Sequence, residues 1–121
     1  MKDYKQLDVW KISMELAVET YNIVKAYPRE ELFALSSQTK RAAVSIVSNI
    51  AEGIGRQTKK DTIHFLHIAR GSVYELETQL TIAFHLKFVE PEHYEKICTL
   101  MVKCLQLING FINYYDKTLL K

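Results

Sequence analysis

Residues Gln38 to Gly53 read Gln-Thr-Lys-Arg-Ala-Ala-Val-Ser-Ile-Val-Ser-Asn-Ile-Ala-Glu-Gly. Thr39, Ala42, Ala43, Ile46, Val47 and Ile50, with Leu35 just before them, recur at three- and four-residue steps and form one apolar stripe. That spacing places them on one side of an α-helix laid against a core. Arg41, Ser45, Ser48 and Glu52 fall on the other side. A solvated back face is usually Lys and Glu throughout; this one is short-chained in its middle, so a second backbone can approach it closely.

Working outward, the 121 residues are 48% hydrophobic, enough for one domain with a real core. Only 4 Gly and 2 Pro interrupt the chain, and no alternating Val/Ile/Thr run lies between turn clusters, so the expected class is all-α. Upstream, a first helix is expected over about residues 7–27, stopped by Pro28, with apolar residues in two rows. The central helix is expected over about 32–52, with Glu30 and Glu31 at its electropositive start and Gly53 as a left-handed C-terminal residue. Thr58 followed by Asp61 resembles a capping box and opens a third helix over about 59–88. Pro91 opens a fourth over about 91–117, whose apolar residues cover roughly 200 degrees of arc. Four such helices with short links predict an antiparallel up-down-up-down four-helix bundle. The wide apolar arcs of the first and fourth helices, and second rows on the other two, on the third helix Ile68, Ser72, Glu75, Gln79, Ile82 and Leu86 facing outward, predict self-association.

The N-terminus lacks the apolar core of a secretory leader, and no apolar run approaches the length that spans a bilayer, so a cytosolic protein without membrane contact is expected. Cys98 and Cys104, six apart in an apolar helix, are expected as reduced core residues. The net charge is +2, but its distribution is uneven: between Leu32 and Tyr74 six bases face two acids, leaving +4, against -1 in each flank.

Asp61, His64 and His67 invite a metal reading, but two histidines on one helix do not hold a catalytic ion, and the Glu-x-x-His pairs of di-iron bundles are missing. Ser45, Ser48 and Ser72 sit mid-helix with no Gly-x-Ser-x-Gly turn, and Gly53-Ile54-Gly55 lacks the lysine of a phosphate loop. No enzyme, metal or cofactor is expected. Glu75 and Glu77 point to different sides of their helix, and Glu75 is expected to pair with Arg41 or Arg70. Arg56, Lys59 and Lys60, with Lys40 nearby across the hairpin, form a basic set able to meet phosphates of RNA or DNA, with weak sequence preference. Repetition around an oligomer would multiply it. The other reading is an adaptor whose outer apolar rows hold a protein partner.

Several blocks carry a resemblance. Leu7-Asp8-Val9-Trp10, Tyr27-Pro28, Arg41-Ala42-Ala43-Val44-Ser45-Ile46, Asn49-Ile50-Ala51-Glu52-Gly53 and Ala69-Arg70-Gly71-Ser72-Val73-Tyr74-Glu75-Leu76-Glu77-Thr78-Gln79 resemble the bacterial four-helix bundle family encoded in intervening sequences of 23S ribosomal RNA genes. The resemblance extends to accessory variability proteins of diversity-generating retroelements. It implies a homopentamer without enzymatic activity that binds nucleic acid through a basic surface. On that basis Arg56, Lys59, Lys60 and Lys40 are expected at phosphates, while Arg41, Asn49, Glu52, Glu75 and Glu77 order helices and subunits.

Overall fold

The computed structural model describes residues 3–119. Four helices carry the fold: α1 (Asp8–Val24), α2 (Leu35–Ile54), α3 (Lys59–His85) and α4 (Pro91–Leu119), with short 3₁₀ turns at Tyr4–Gln6 and Arg29–Glu31. No strand occurs among the described residues. Helix α1 packs on α2 and α4, and α3 packs on the same two, while the diagonal pairs, α1 with α3 and α2 with α4, bring no Cα atoms within 8 Å among the described residues. The helices therefore close a four-membered ring around one core.

That core is the expected stripe. Ala43, Ile46 and Ile50 of α2 meet Leu66, Ala69, Val73, Leu76 and Leu80 of α3, with Val9 and Leu16 of α1 and Ile97, Met101, Cys104 and Ile108 of α4 completing it. Large aliphatic side chains sealed from water contribute about 1.5–3 kcal/mol each, which is why the apolar period decides the orientation of each helix.

The helix ends differ from the sequence expectation in informative ways. Helix α1 ends at Val24 because Ala26 and Tyr27 turn back through hydrogen bonds to Ile23 and Val24, which brings the Tyr27 ring into the core against Phe88 at 5.6 Å. Burial pushes the Tyr27 phenol up to about 12. Helix α2 begins at Leu35 rather than Leu32: Ala34 is non-helical, and the Glu31 carboxylate accepts the Leu35 N–H from outside the helix. Gly53 is not left-handed. It lies inside α2, and a Cβ built there would stand 2.8 Å from Phe65 Cβ, so glycine is needed for the close approach of α2 and α3. The left-handed residue is Lys87, φ 65°, where α3 ends early at His85. Phe88 N–H bonds to Ala83 O and Lys87 N–H to Phe84 O, a Schellman closure that normally uses glycine.

Helix α4 is long and apolar enough to cross a membrane by length and mean hydropathy, 1.2, contrary to the expectation that no run approaches that length. One side of it faces the core through Ile97, Met101, Cys104, Ile108 and Ile112, while Val102 and Tyr114 remain more than half exposed. Its apolarity exceeds what one core takes.

Candidate functional site

The α2–α3 connection is built tightly. Thr58 accepts the Asp61 N–H at 3.1 Å and caps α3, and the Thr62 hydroxyl donates to Gly53 O at 2.7 Å, tying the two helices where they meet. These ties fix the placing of the basic residues around them. Arg56 folds back along α2: its Nη2 lies 2.9 Å from Glu52 Oε1 and its guanidinium sits 4.5 Å from the centre of the Phe65 ring. Both partners of that ion pair are substantially exposed, so it orients Arg56 more than it stabilises the fold. Lys59 and Lys60 are exposed and form no ion pair among the described residues. Lys40 is elsewhere. Fourteen residues of helical rise, roughly 21 Å, separate it from the end of α2 at Ile54, and its ammonium lies 5.4 Å from the Tyr21 ring centre. Arg56, Lys59 and Lys60 stand at the α2–α3 connection and its helix ends, and Lys40 lies apart from them along α2.

The polar residues of α2 and α3 divide into a joined set and an open set. Asn49 donates to Ser45 O at 2.7 Å and to Ser45 Oγ at 3.0 Å, and Ser45 Oγ lies 2.9 Å from Ser72 Oγ. This Asn49–Ser45–Ser72 relay links the two helices. Sequence reasoning placed Ser72 on an outward row and missed it; the small side chains on both helices were the available signal. Arg41 and Glu75 line one cleft of about 370 Å³ with Gln38, Ser45 and Gln79, yet form no ion pair with each other. Arg70 does not hold Glu75 either. It donates to Asn109 Oδ1 at 3.0 Å, joining α3 to α4, and its Nη2 lies 2.8 Å from His67 Nδ1. The expected pairing of Glu75 with Arg41 or Arg70 is therefore absent within the chain, because Arg70 turns toward α4. Glu52 pairs inside its own helix, and Glu77 is exposed without an ion partner among the described residues. Gln79, also expected on an outward row, is 9% exposed, and its carboxamide oxygen has no hydrogen-bond partner.

Beside this cleft runs a broader groove of about 750 Å³ along the outer side of α2, lined by Tyr21, Leu32, Phe33, Lys40 and Val44 among others. Phe33 stands 93% exposed at its end. The cysteines offer no activated thiol: burial pushes Cys104 up to about 12 and raises Cys98 as well. His64 and His67 are exposed, and no three His, Cys, Asp or Glu side chains converge among the described residues.

Four helices closed around one core define a small all-α protein of the four-helix type. The model of the 23S rRNA-intervening sequence protein family matches residues 5–110, and the chain belongs to that family. It is also similar to a crystal structure of a protein of unknown function from the S23 ribosomal protein family of Bacteroides thetaiotaomicron VPI-5482. That likeness has 30% identity and a TM-score of 0.79, covering 86% of this chain and 97% of the other. No curated protein matches the chain.

Proposed function

We propose that the protein is a non-enzymatic, cytosolic, antiparallel up-down-up-down bundle that assembles as a homopentamer and binds nucleic acid or a ribonucleoprotein through the α2–α3 turn. The observation that carries the binding role is the pair Lys59 and Lys60, exposed and free of ion partners in the described residues beside the oriented guanidinium of Arg56. Lysines of this kind neutralise phosphates and release counterions without reading sequence. The antiparallel arrangement is favoured by cross-helix ties that run in opposite directions along partner helices: Gly53 with Thr62 and Ser45 with Ser72, then Arg70 with Asn109 and Thr81 with Tyr94. Self-association is favoured by the exposed Phe33, Leu32, Val44, Val102 and Tyr114. A five-fold ring would present five copies of the turn, raising a modest affinity through multivalency. Free Cys98 and Cys104 agree with a reducing compartment.

Phe33 favours a second reading, a protein-interaction adaptor, since so exposed a ring suits an apolar partner. Salt distinguishes the two. Binding of the purified protein to a structured RNA and a duplex DNA, titrated across a salt series beside Lys59→Glu/Lys60→Glu, is expected to weaken steeply with salt and to be lost in the variant. Flat or absent binding in both proteins would refute the nucleic-acid reading.

A further inference from the structure

The cleft between α2 and α3 is a small slot whose two walls carry opposite charge. Gln38, Arg41 and Ser45 stand on α2 at three- and four-residue steps, Glu75 and Gln79 stand one turn apart on α3, and all five line a volume of about 370 Å³. Between them Ala42 is buried and ends at its Cβ, which leaves the space open. The volume is at the small end of ligand clefts. None of the bases of the α2–α3 turn lines it.

Arg41 and Glu75 are exposed at this cleft and form no ion pair with each other or with any other side chain among the described residues. Gln79 adds an independent sign of a missing partner. It is nine-tenths buried, it lines the cleft, and its carboxamide oxygen has no donor. A buried acceptor left so is costly, and the terminal carboxamide torsion is soft enough to turn that oxygen toward an arriving N–H. Ser45 is already engaged by Asn49 and Ser72, so it shapes the wall and is not a free partner.

The ligand that suits these groups carries an anion and several N–H donors close together. A guanidinium takes a carboxylate through two parallel hydrogen bonds, and an ammonium has three donors to divide between a carboxylate and a carboxamide oxygen. A free α-amino acid holds both groups on one carbon. We propose that the α2/α3 cleft is a binding site for a free α-amino acid, with its carboxylate on Arg41 and its ammonium between Glu75 and Gln79. Gln38, exposed on the same wall as Arg41, adds a donor for the carboxylate. Recognition rests on the groups that every α-amino acid shares, with the ligand's side chain left toward solvent, so even alanine has to bind. The site is separate from the basic turn and does not depend on nucleic-acid binding.

The test is isothermal titration calorimetry of the purified protein with L-alanine, with N-acetyl-L-alanine, which lacks the ammonium, and with L-alaninamide, which lacks the carboxylate. L-Alanine is expected to bind once per chain with a dissociation constant of about 1 mM or tighter, a gain within reach of so small a ligand. Each blocked analogue should bind at least about tenfold more weakly, because a hydrogen-bonded charge is lost. Glu75→Gln should weaken L-alanine by a similar factor and leave N-acetyl-L-alanine unchanged, while Arg41→Gln should weaken L-alanine and leave L-alaninamide unchanged. Both positions are exposed, so helix content by circular dichroism should stay constant. Glu77→Gln, exposed on α3 and outside the cleft, is the control and should bind like the wild type. Absence of saturable heat with L-alanine would overturn the proposal. Equal affinity for L-alanine and N-acetyl-L-alanine, or L-alanine binding indifferent to Glu75→Gln, would overturn it too, by reducing the cleft to an anion site at Arg41.

Discussion

The two sides of α2 follow opposite rules. Toward the core, Ala43, Ile46 and Ile50 are completely buried, and Thr39 on that side meets its own helix by donating to Leu35 O. Toward the outside, the same helix carries Arg41 without an ion partner, small serines, and a groove ending in the 93% exposed Phe33. One helix thus serves folding on one face and is left open on the other. The difference separates residues that hold the chain together from residues available for contact, and substitutions on the two sides should give different kinds of effect.

The largest effect is expected inside. Ile46→Ala removes a fully buried side chain at the centre of the ring of helices and should lower unfolding free energy by about 2–5 kcal/mol, measured by urea denaturation. Next comes Gly53→Ala, whose new Cβ would press on Phe65 Cβ from 2.8 Å and push α2 from α3; a loss of about 1–3 kcal/mol is expected. If Gly53→Ala stabilises the protein, the close-approach account of this glycine fails, since mere helix propensity would then dominate.

A third substitution reads the core through pH. The Tyr27 phenol titrates at 10 when unperturbed and at about 12 in the fold, so the unfolded chain gives up its proton first. Tyr27 therefore contributes to a stability that falls as pH rises from 10 to 12. Thermal unfolding of Tyr27→Phe across that window should show a shallower decline, with Cys104, raised in the same direction, accounting for part of the remainder. Identical slopes in the two proteins would remove Tyr27 from this role. The smallest effect on folding belongs to the outside: Val44→Glu, at a 42% exposed position, should leave helix content unchanged and shift far-ultraviolet melting of the dissociated chain by no more than about 0.5 kcal/mol. A large loss of helix content would erase the contrast between the two faces.

Much of this was legible in the residues. The apolar period of Leu35 to Ile50 named the buried face almost residue for residue, because a side chain three or four places along a helix must share its neighbour's surroundings. Pro91 and Thr58 marked the starts of α4 and α3, since a fixed proline φ and a side-chain cap are local events. Local rules failed where a neighbour decided. Gly53 looked like a helix terminator but is a contact point for Phe65. Lys87 took the left-handed position without being glycine, held by the Ala83 and Phe84 carbonyls and by Phe88, which packs on the core. Of the candidate site, the cluster of Arg56, Lys59 and Lys60 was visible because the three lie close in sequence. The distance of Lys40 from it was legible too, and was overlooked: helical rise along the expected helix already carries that residue to the far part of α2.

The sequence by itself determined the all-α class, four helices, the identity of the core face of α2 and the basic character of the α2–α3 turn, all consequences of spacing along one chain. The tertiary structure alone decided which polar groups find partners. Ser45 reaches Ser72, Arg70 reaches Asn109, and Glu75 reaches neither arginine expected for it. A hydrogen bond or ion pair acts over about 3–4 Å, and the register between two helices, set by how their apolar side chains interlock, has to be in place before that distance is known.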